Sequence, residues 1–261
     1  MAQTPEKKKN LLFVVLAGIF ITNALMAEMI GVKIFSAEST VGLPPAHLSI
    51  FGFTMDFNLT AGVVIWPVVF ITTDLINEYY GKPGVKLVSW LTVFLIAYAF
   101  LVLTLAIDLP PAEWWSEANS EGPAGEPFNI NFAFEKIFGQ GRRIIFASIL
   151  AFLIGQLTDV FVFQRLKKIT GPKMLWLRAT GSTLISQFID SFVVLYVAFS
   201  GVFSIGQINA IGITNYMYKF AVAILLTPLI YLGHMLIDRY LGKDHAEKLM
   251  KEASEKSKGF F

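Results

Sequence analysis

Residues 72–82 read TTDLINEYYGK, and they follow the almost wholly apolar run 59–71. Two carboxylates, Asp74 and Glu78, therefore stand in the second half of a hydrophobic segment. Because they are four positions apart, they share one face of a helix and lie one turn apart. In a soluble helix this would be an ordinary hydrated face. Inside a membrane such acids are costly and usually functional, so this stretch is predicted to hold a site.

The composition indicates a polytopic helical membrane protein. Of 261 residues, 55% are hydrophobic and only 15% are charged, against about 25% in an average soluble domain. The net charge of +2 provides no basic field for nucleic acid, and the absence of cysteine excludes thiolate chemistry. The sequence also lacks the motifs of zinc proteases, nucleotide-binding loops and serine hydrolases. We therefore expect no nucleic-acid partner, no metal and no cofactor.

Six stretches are long and apolar enough to cross a bilayer core of about 30 Å, which takes about 20 helical residues. They are 11–34, 59–80, 85–107, 143–164, 179–203 and 216–238. The predicted fold class is an all-α membrane protein, a bundle of six transmembrane helices. We expect residues 1–10 to form a cytoplasmic N-terminal segment, 11–240 the transmembrane domain, and 241–261 a charged cytoplasmic tail that frays.

The basic residues predict the orientation. Lys and Arg concentrate in the N-terminal segment, in the links after the second and fourth helices, and in the tail. The loop 36–58 has none, and the loop 108–141 carries six acids against one lysine. The positive-inside rule then places both termini in the cytoplasm and the loop 108–141 outside. Residues 128–138 are expected to lie on the bundle or among lipid headgroups and not to span.

The pattern Q-x-x-D-x-F occurs twice, at 156–161 and at 187–192. Each copy puts an amide and a carboxylate on one face of a helix, and the two helices are predicted to be antiparallel neighbours. Asp190, near the middle of the fifth helix, is the strongest candidate for a functional acid, with Gln187 on its face. The alternative is structural: a hydrogen-bonded Asp190 and a Gln187 that joins helices. For the fourth-helix pair, Gln156 and Asp159, an interfacial role of Asp159 is the alternative.

In the second helix Asp74 lies deeper than Glu78. Lys82 follows Glu78 at i+4, so an ordinary helical ion pair is as consistent with the pattern as a binding role. Arg143 opens the fourth helix, where a headgroup contact is the simpler interpretation. The remaining candidates for substrate binding are Asn23 and Asn77.

These acids and amides suit a small polar solute that carries N–H donors, such as a nucleobase-like ring. A carboxylate can accept two hydrogen bonds from a guanine-type edge, and Gln or Asn offers both a donor and an acceptor. Phe and Tyr side chains could stack on the ring. Composition alone does not choose the solute.

Several separate motifs, which follow one another along the chain in the order typical of the family, resemble the queuosine precursor transporter family, also called the vitamin uptake transporter family. They are residues 73–82 (TDLINEYYGK), Asn23 with 31–35 (GVKIF), 143–148 (RIIFAS), 155–160 (GQLTDV), 177–183 (LRATGST) and 186–190 (SQFID). The resemblance extends from about residue 11 to 240. The chain departs from the usual pattern in its long acidic outer loop 108–127 and in the proline-rich loop 44–47.

The resemblance implies a six-helix protein of the inner or cytoplasmic membrane, in contact with lipid, that imports queuosine precursors for tRNA modification. The implied substrates are 7-cyano-7-deazaguanine, 7-aminomethyl-7-deazaguanine and queuine. We expect a transporter and not an enzyme. One alternative is an intramembrane di-aspartyl enzyme using Asp159 and Asp190, although the G-x-G-D motif of such proteases is absent. The other is a substrate-capture subunit that works with a separate energising module. The oligomeric state is left open.

Overall fold

The structure is a computed structural model that describes residues 4–139, 142–171 and 174–257, without the side chains of residues 142 and 143. The helices, in chain order, are α1 Pro5–Ile30, α2 Ala37–Thr40, α3 Trp66–Ile107, α4 Glu113–Ala118, α5 Ile130–Phe138, α6 Arg142–Thr170, α7 Leu175–Phe199, α8 Ile205–Leu241 and α9 Lys243–Lys256, with a 3₁₀ turn at Ala61–Val64. The strands are β1 Ile34–Ser36, β2 Leu48–Ile50, β3 Phe53–Met55 and β4 Asn58–Thr60.

Within the described residues, five helices are long and apolar enough to cross a membrane: α1, α3, α6, α7 and α8. Large apolar side chains such as Val14, Phe94 and Leu225 are exposed on their outer faces. An exposed apolar surface around a helical bundle is what a lipid environment requires. The fold is therefore that of a multi-pass helical membrane protein.

The 42-residue helix α3 is broken at Gly81, whose φ of 69° and ψ of −168° are not helical. Only glycine adopts this conformation readily. The chain before α3 packs at Gly62 against Ala27 of α1, and Ile107 at its end lies beside Gly139, just before α6. Both ends of α3 therefore lie where α1 ends and α6 begins, and we call this the loop end of the bundle. Gly81 lies at the opposite, terminal end, so residues 66–80 (the first arm) and 82–107 (the second arm) run in opposite directions.

The first two predicted helices are shorter at the loop end than the sequence suggested. Residues Ile34–Ser36 and Asn58–Thr60 pair as antiparallel strands β1 and β4, so α1 ends at Ile30 and α3 begins at Trp66. A short hairpin of β2 and β3 lies between them. The reason is local: strand pairing satisfies backbone groups of the chain that passes from one helix to the next.

Glu38 fixes this loop-end segment. It is 7% exposed, and its carboxylate accepts hydrogen bonds from the backbone N–H of Phe57 at 2.7 Å and from Ser36 Oγ at 3.1 Å. The bond from Phe57 is the main reason why the pKa of Glu38 lies below its usual value.

The prediction that the tail frays is wrong. Helix α9 buries Ala246, Leu249 and Ala253, which recur at the three- and four-residue spacing of one helix face. Beyond it, Ser257 Oγ accepts a hydrogen bond of 3.1 Å from the backbone N–H of Lys82. The tail thus caps the start of the second arm and closes the terminal end of the bundle.

The core is divided by chemistry. One side, where α1, α3, α8 and α9 meet, is apolar and includes Phe20, Ile76, Tyr79 and Val88. The other side, where the first arm meets α6 and α7, contains most of the buried amides, hydroxyls and charges. This polar interior positions the candidate site.

Candidate functional site

The site is built where α6 and α7 cross at Gly155. A Cβ atom at this position would lie 3.4 Å from Cβ of Asp190 and 3.8 Å from the carbonyl oxygen of Ser186, so the two helices are in direct contact here. The crossing brings the two Q-x-x-D segments together. Gln156 and Gln187 lie at the centre, with Asp159 toward one cavity and Asp190 toward another.

The two cavities share Gly155, Gln156 and Gln187. The first is lined by Phe70, Thr73, Gly155, Gln156, Asp159, Thr183, Ser186 and Gln187. The second is lined by Trp66, Phe152, Gly155, Gln156, Gln187 and Asp190. Aromatic faces thus stand beside convergent polar groups, the usual composition of a small-molecule site.

Asp159 is 5% exposed and contacts the hydroxyls of Ser186 at 3.3 Å and Thr183 at 3.5 Å, both through Oδ1. Its Oδ2 atom and the Oε1 atom of Gln156 have no hydrogen-bond partner in the described part of the chain. Two buried acceptors therefore stand open at one cavity. Buried acceptors are normally paired, so they indicate a ligand that brings N–H or O–H donors.

Asp190 forms an ion pair with Lys219 of α8, at 2.6 Å between Oδ2 and Nζ. The two side chains are 21% and 17% exposed. Lys219 was not predicted as a site residue. The pair balances the charge of Asp190 at the second cavity and leaves its Oδ1 atom for other contacts.

Below the first cavity, toward the terminal end, three charges form a buried cluster. Arg178 contacts Glu78 through two hydrogen bonds, of 2.9 and 3.1 Å, and Lys167 lies 3.3 Å from the same carboxylate. Of the two alternatives for Glu78, the ion pair with Lys82 is therefore wrong, because its carboxylate contacts Arg178 and Lys167 instead. Glu78 points between α6 and α7 and not along its own helix, because two better placed cations stand there.

Two further candidates of the second predicted helix are buried beside this cluster. Asn77 is fully buried and accepts a hydrogen bond of 2.7 Å from Gln164 of α6. Asp74 is 2% exposed, and neither of its carboxylate oxygens has a hydrogen-bond partner among the described residues. Thr73, its neighbour, lines the first cavity in its place.

The structure does not bring the last two candidates to the cavities. Asn23 donates a hydrogen bond of 2.8 Å to the carbonyl of Ile19 in its own helix. The side chain of Arg143 lies outside the described residues. The polar contact that joins α1 to α6 is made by Glu28, which accepts from Ser148 Oγ at 2.7 Å.

A column of polar groups therefore crosses the bundle from the loop end to the terminal end. Its members, in order, are Glu28 with Ser148, Asp190 with Lys219, Gln187 and Gln156, Asp159, Asp74, Asn77 with Gln164, and Glu78 with Arg178 and Lys167. Intramembrane polar groups in such a series mark a solute or ion pathway. In the described ranges no group of three or more His, Asp or Glu side chains could hold a metal ion.

Comparisons with known proteins are consistent with a pathway for a solute through the bundle. The family model described as "Putative vitamin uptake transporter" matches residues 60–233. A "Probable queuosine precursor transporter" of Bacillus subtilis (strain 168) is 32% identical over 195 residues, which cover 74% of this chain and 80% of the relative. The "Queuosine precursor transporter" of Escherichia coli (strain K12) is 28% identical over 222 residues, 83% of this chain and 88% of the relative.

A similarly named protein of Haemophilus influenzae is 27% identical over 184 residues, 69% of this chain and 70% of the relative. No solved structure gives a significant match. The relatives are named as transporters, as the sequence led us to expect, and not as enzymes. The match of one family model to two thirds of the sequence, on a multi-pass helical fold, shows that this chain belongs to the vitamin uptake transporter family.

Proposed function

We propose that this protein imports queuosine precursors of the 7-deazaguanine class across the cell membrane, for use in tRNA modification. The observation that carries the proposal is the pair of open acceptors, Gln156 Oε1 and Asp159 Oδ2, at a buried cavity with an aromatic wall. The names of the three relatives support the same substrate class.

In the proposed complex the donor edge of the deazaguanine faces Asp159. Its ring N–H and exocyclic amine are adjacent donors, so one carboxylate can accept both, a strong charge-assisted arrangement. Gln156 and Gln187 contact the remaining polar edge, and Phe70 stacks on the ring. Asp190, held by Lys219, lies at the second cavity, where the 7-substituent would extend. In this proposal the binding site does not include Asp74, Asn77 and Glu78, which lie behind it, toward the terminal end of the bundle.

The proposed topology has six crossings, because the two arms of α3 run in opposite directions and each counts as one. Both termini lie in the cytoplasm, as the positive-inside rule suggests. The chain has no cysteine, so single-cysteine variants are clean reporters. A cysteine at Ser120 should react with an impermeant thiol reagent in intact cells, whereas one at Ser254 should react only after lysis. The reverse pattern would overturn this topology.

A di-aspartyl enzyme is not favoured by the geometry. Asp159 and Asp190 line different cavities, and each has its own partners, hydroxyls for the first and Lys219 for the second. Catalytic dyads need carboxylates close enough to share one proton. Neither aspartate is placed to serve the other.

The experiment that tests the proposal is uptake of labelled 7-deazaguanines in cells that cannot synthesise queuosine. Cells expressing this protein alone should accumulate the label and restore queuosine in tRNA, and Asp159→Asn should lose both at equal membrane abundance. Asp244→Asn, in the tail helix, is the matched control and should behave as wild type. Absence of uptake from cells with abundant protein would refute import by this chain alone. Uptake restored only by a second protein would indicate a substrate-capture subunit.

A further inference from the structure

Among the described residues, Asp74 is the one acid of the polar column that neither lines a cavity nor has a hydrogen-bond or ion-pair partner. It is 2% exposed, and both of its carboxylate oxygens lack a hydrogen-bond partner there. Thr73 faces the first cavity, so Asp74 lies behind the wall that the substrate would touch. A binding role therefore does not account for it.

The surroundings of Asp74 disfavour a negative charge. Asp159 of α6 lies within electrostatic reach, as does Glu78 on its own helix. Arg178 is near, but its guanidinium is engaged by Glu78 and by the carbonyl of Gly171. A buried carboxylate without donors or a free cation is far more stable as the neutral acid.

The other charged groups around the first arm are already paired. They are Lys167 on α6, held by Glu78; His234 and Asp238 on α8, which contact each other and Tyr79; and Lys9 on α1, whose ammonium lies 3.5 Å from Glu6. None of these contacts gives Asp74 a counter-ion. Among the described residues, Asp74 also belongs to no group of three or more His, Asp or Glu side chains that could hold a metal ion.

We propose that Asp74 is the coupling-proton site of the transporter, binding one proton from the outer side and releasing it inside with each substrate molecule. The inference rests on the proposed import function. The proton is the only species bound or released at Asp74: the carboxylic acid forms in the closed site and returns to a hydrated carboxylate when the site opens inward. The substrate crosses unchanged.

The neighbouring aspartate links the proton to the substrate. Two buried carboxylates that repel each other, with the nearest cation, Arg178, already engaged by Glu78, are disfavoured as a doubly charged pair, so a proton on Asp74 leaves Asp159 as the charged acceptor. Only the charged Asp159 can accept both N–H donors of the substrate edge. Each ligand therefore favours binding of the other, and this reciprocity is the requirement for coupled transport.

A spectroscopic test needs no substrate. Infrared spectra of the purified protein at neutral pH should contain a C=O band of a protonated carboxyl that is lost in Asp74→Asn and kept in Asp159→Asn. Asn has nearly the shape of the neutral acid, so the variant should fold and elute as wild type. Identical spectra for wild type and Asp74→Asn, or loss of the band in Asp159→Asn alone, would overturn the assignment.

A transport test uses proteoliposomes and labelled 7-cyano-7-deazaguanine. Wild type should accumulate the label when the outside is acidic, and a protonophore should abolish accumulation. Asp74→Asn should keep exchange of internal for external label, which needs no net driving force, and should lose gradient-driven accumulation at least tenfold. Accumulation that follows a sodium gradient, or that Asp74→Asn retains, would refute proton coupling while import stands. If wild type moves no label under any gradient, the import proposal fails and coupling fails with it.

Discussion

Replacement of Glu78 tests the buried charge cluster at the terminal end. Glu78→Ala removes the carboxylate that Arg178 and Lys167 contact at 2.9, 3.1 and 3.3 Å. The two cations have side chains that are 2% and 9% exposed, so both would remain buried without a counter-charge. Breaking a buried ion pair costs about 3–5 kcal/mol. We expect Glu78→Ala to lower the free energy of unfolding by about 4 kcal/mol, which is close to a thousandfold change in the unfolding equilibrium.

Lys167→Met separates this explanation from a general sensitivity of the region. It leaves the two hydrogen bonds between Arg178 and Glu78 intact, so the expected loss is about 1.5 kcal/mol. Glu255→Ala, on the exposed face of α9, should change stability by less than about 0.5 kcal/mol. The assay is reversible unfolding of purified protein in mixed micelles with increasing SDS. A loss for Glu78→Ala no larger than that for Lys167→Met would refute the reasoning.

Three further predictions concern the break in α3, the second cavity and the loop end. Gly81→Ala should lower the free energy of unfolding by about 1–3 kcal/mol and make α9 sensitive to protease. The reason is that φ at Gly81 is positive and the new Cβ would lie 2.6 Å from the backbone of α9. Asp190→Ala should weaken substrate binding about thirtyfold, since the loss of one charged acceptor costs on the order of 2 kcal/mol. Lys219→Met should reduce uptake, normalised to protein abundance, by less than Asp190→Ala does. At the loop end, the pKa of Glu38 in the folded protein lies below its usual value. Its carboxylate should therefore protect the Phe57 amide from hydrogen exchange at neutral pH, and this protection should be lost as the pH falls through the folded pKa. Glu38→Gln should remove the pH dependence of the exchange rate.

The sequence predicts the helices well because their signal is local. The length and apolarity of each run, and the Gly81 that ends the first arm, can be read without knowledge of any contact. The loop-end strands and the docked tail could not be inferred with the same ease. The first depend on pairing between Ile34–Ser36 and Asn58–Thr60, and the second on a groove that only the folded bundle provides.

The candidate site was predicted in part. The two Q-x-x-D segments could be found because an amide and an acid inside an apolar run are conspicuous. Their partners could not: Arg178 lies near a helix start that looked like a cytoplasmic link, and Lys219 looked close to the start of a helix that in fact begins at Ile205. Thr183 and Ser186 carry a signal in the sequence, since they are spaced to share a helix face with Gln187 and Asp190.

The central claim, that the cavity at Asp159 recognises the donor edge of a 7-deazaguanine, is tested most directly by equilibrium binding to the purified protein. Labelled 7-cyano-7-deazaguanine should bind wild type saturably, and 7-deazaadenine, which lacks the same adjacent donors, should not compete. Asp159→Asn should bind at least tenfold more weakly, because a neutral amide replaces the charged acceptor of two N–H groups. Equal binding by wild type and Asp159→Asn, or equal competition by 7-deazaadenine, would contradict the account.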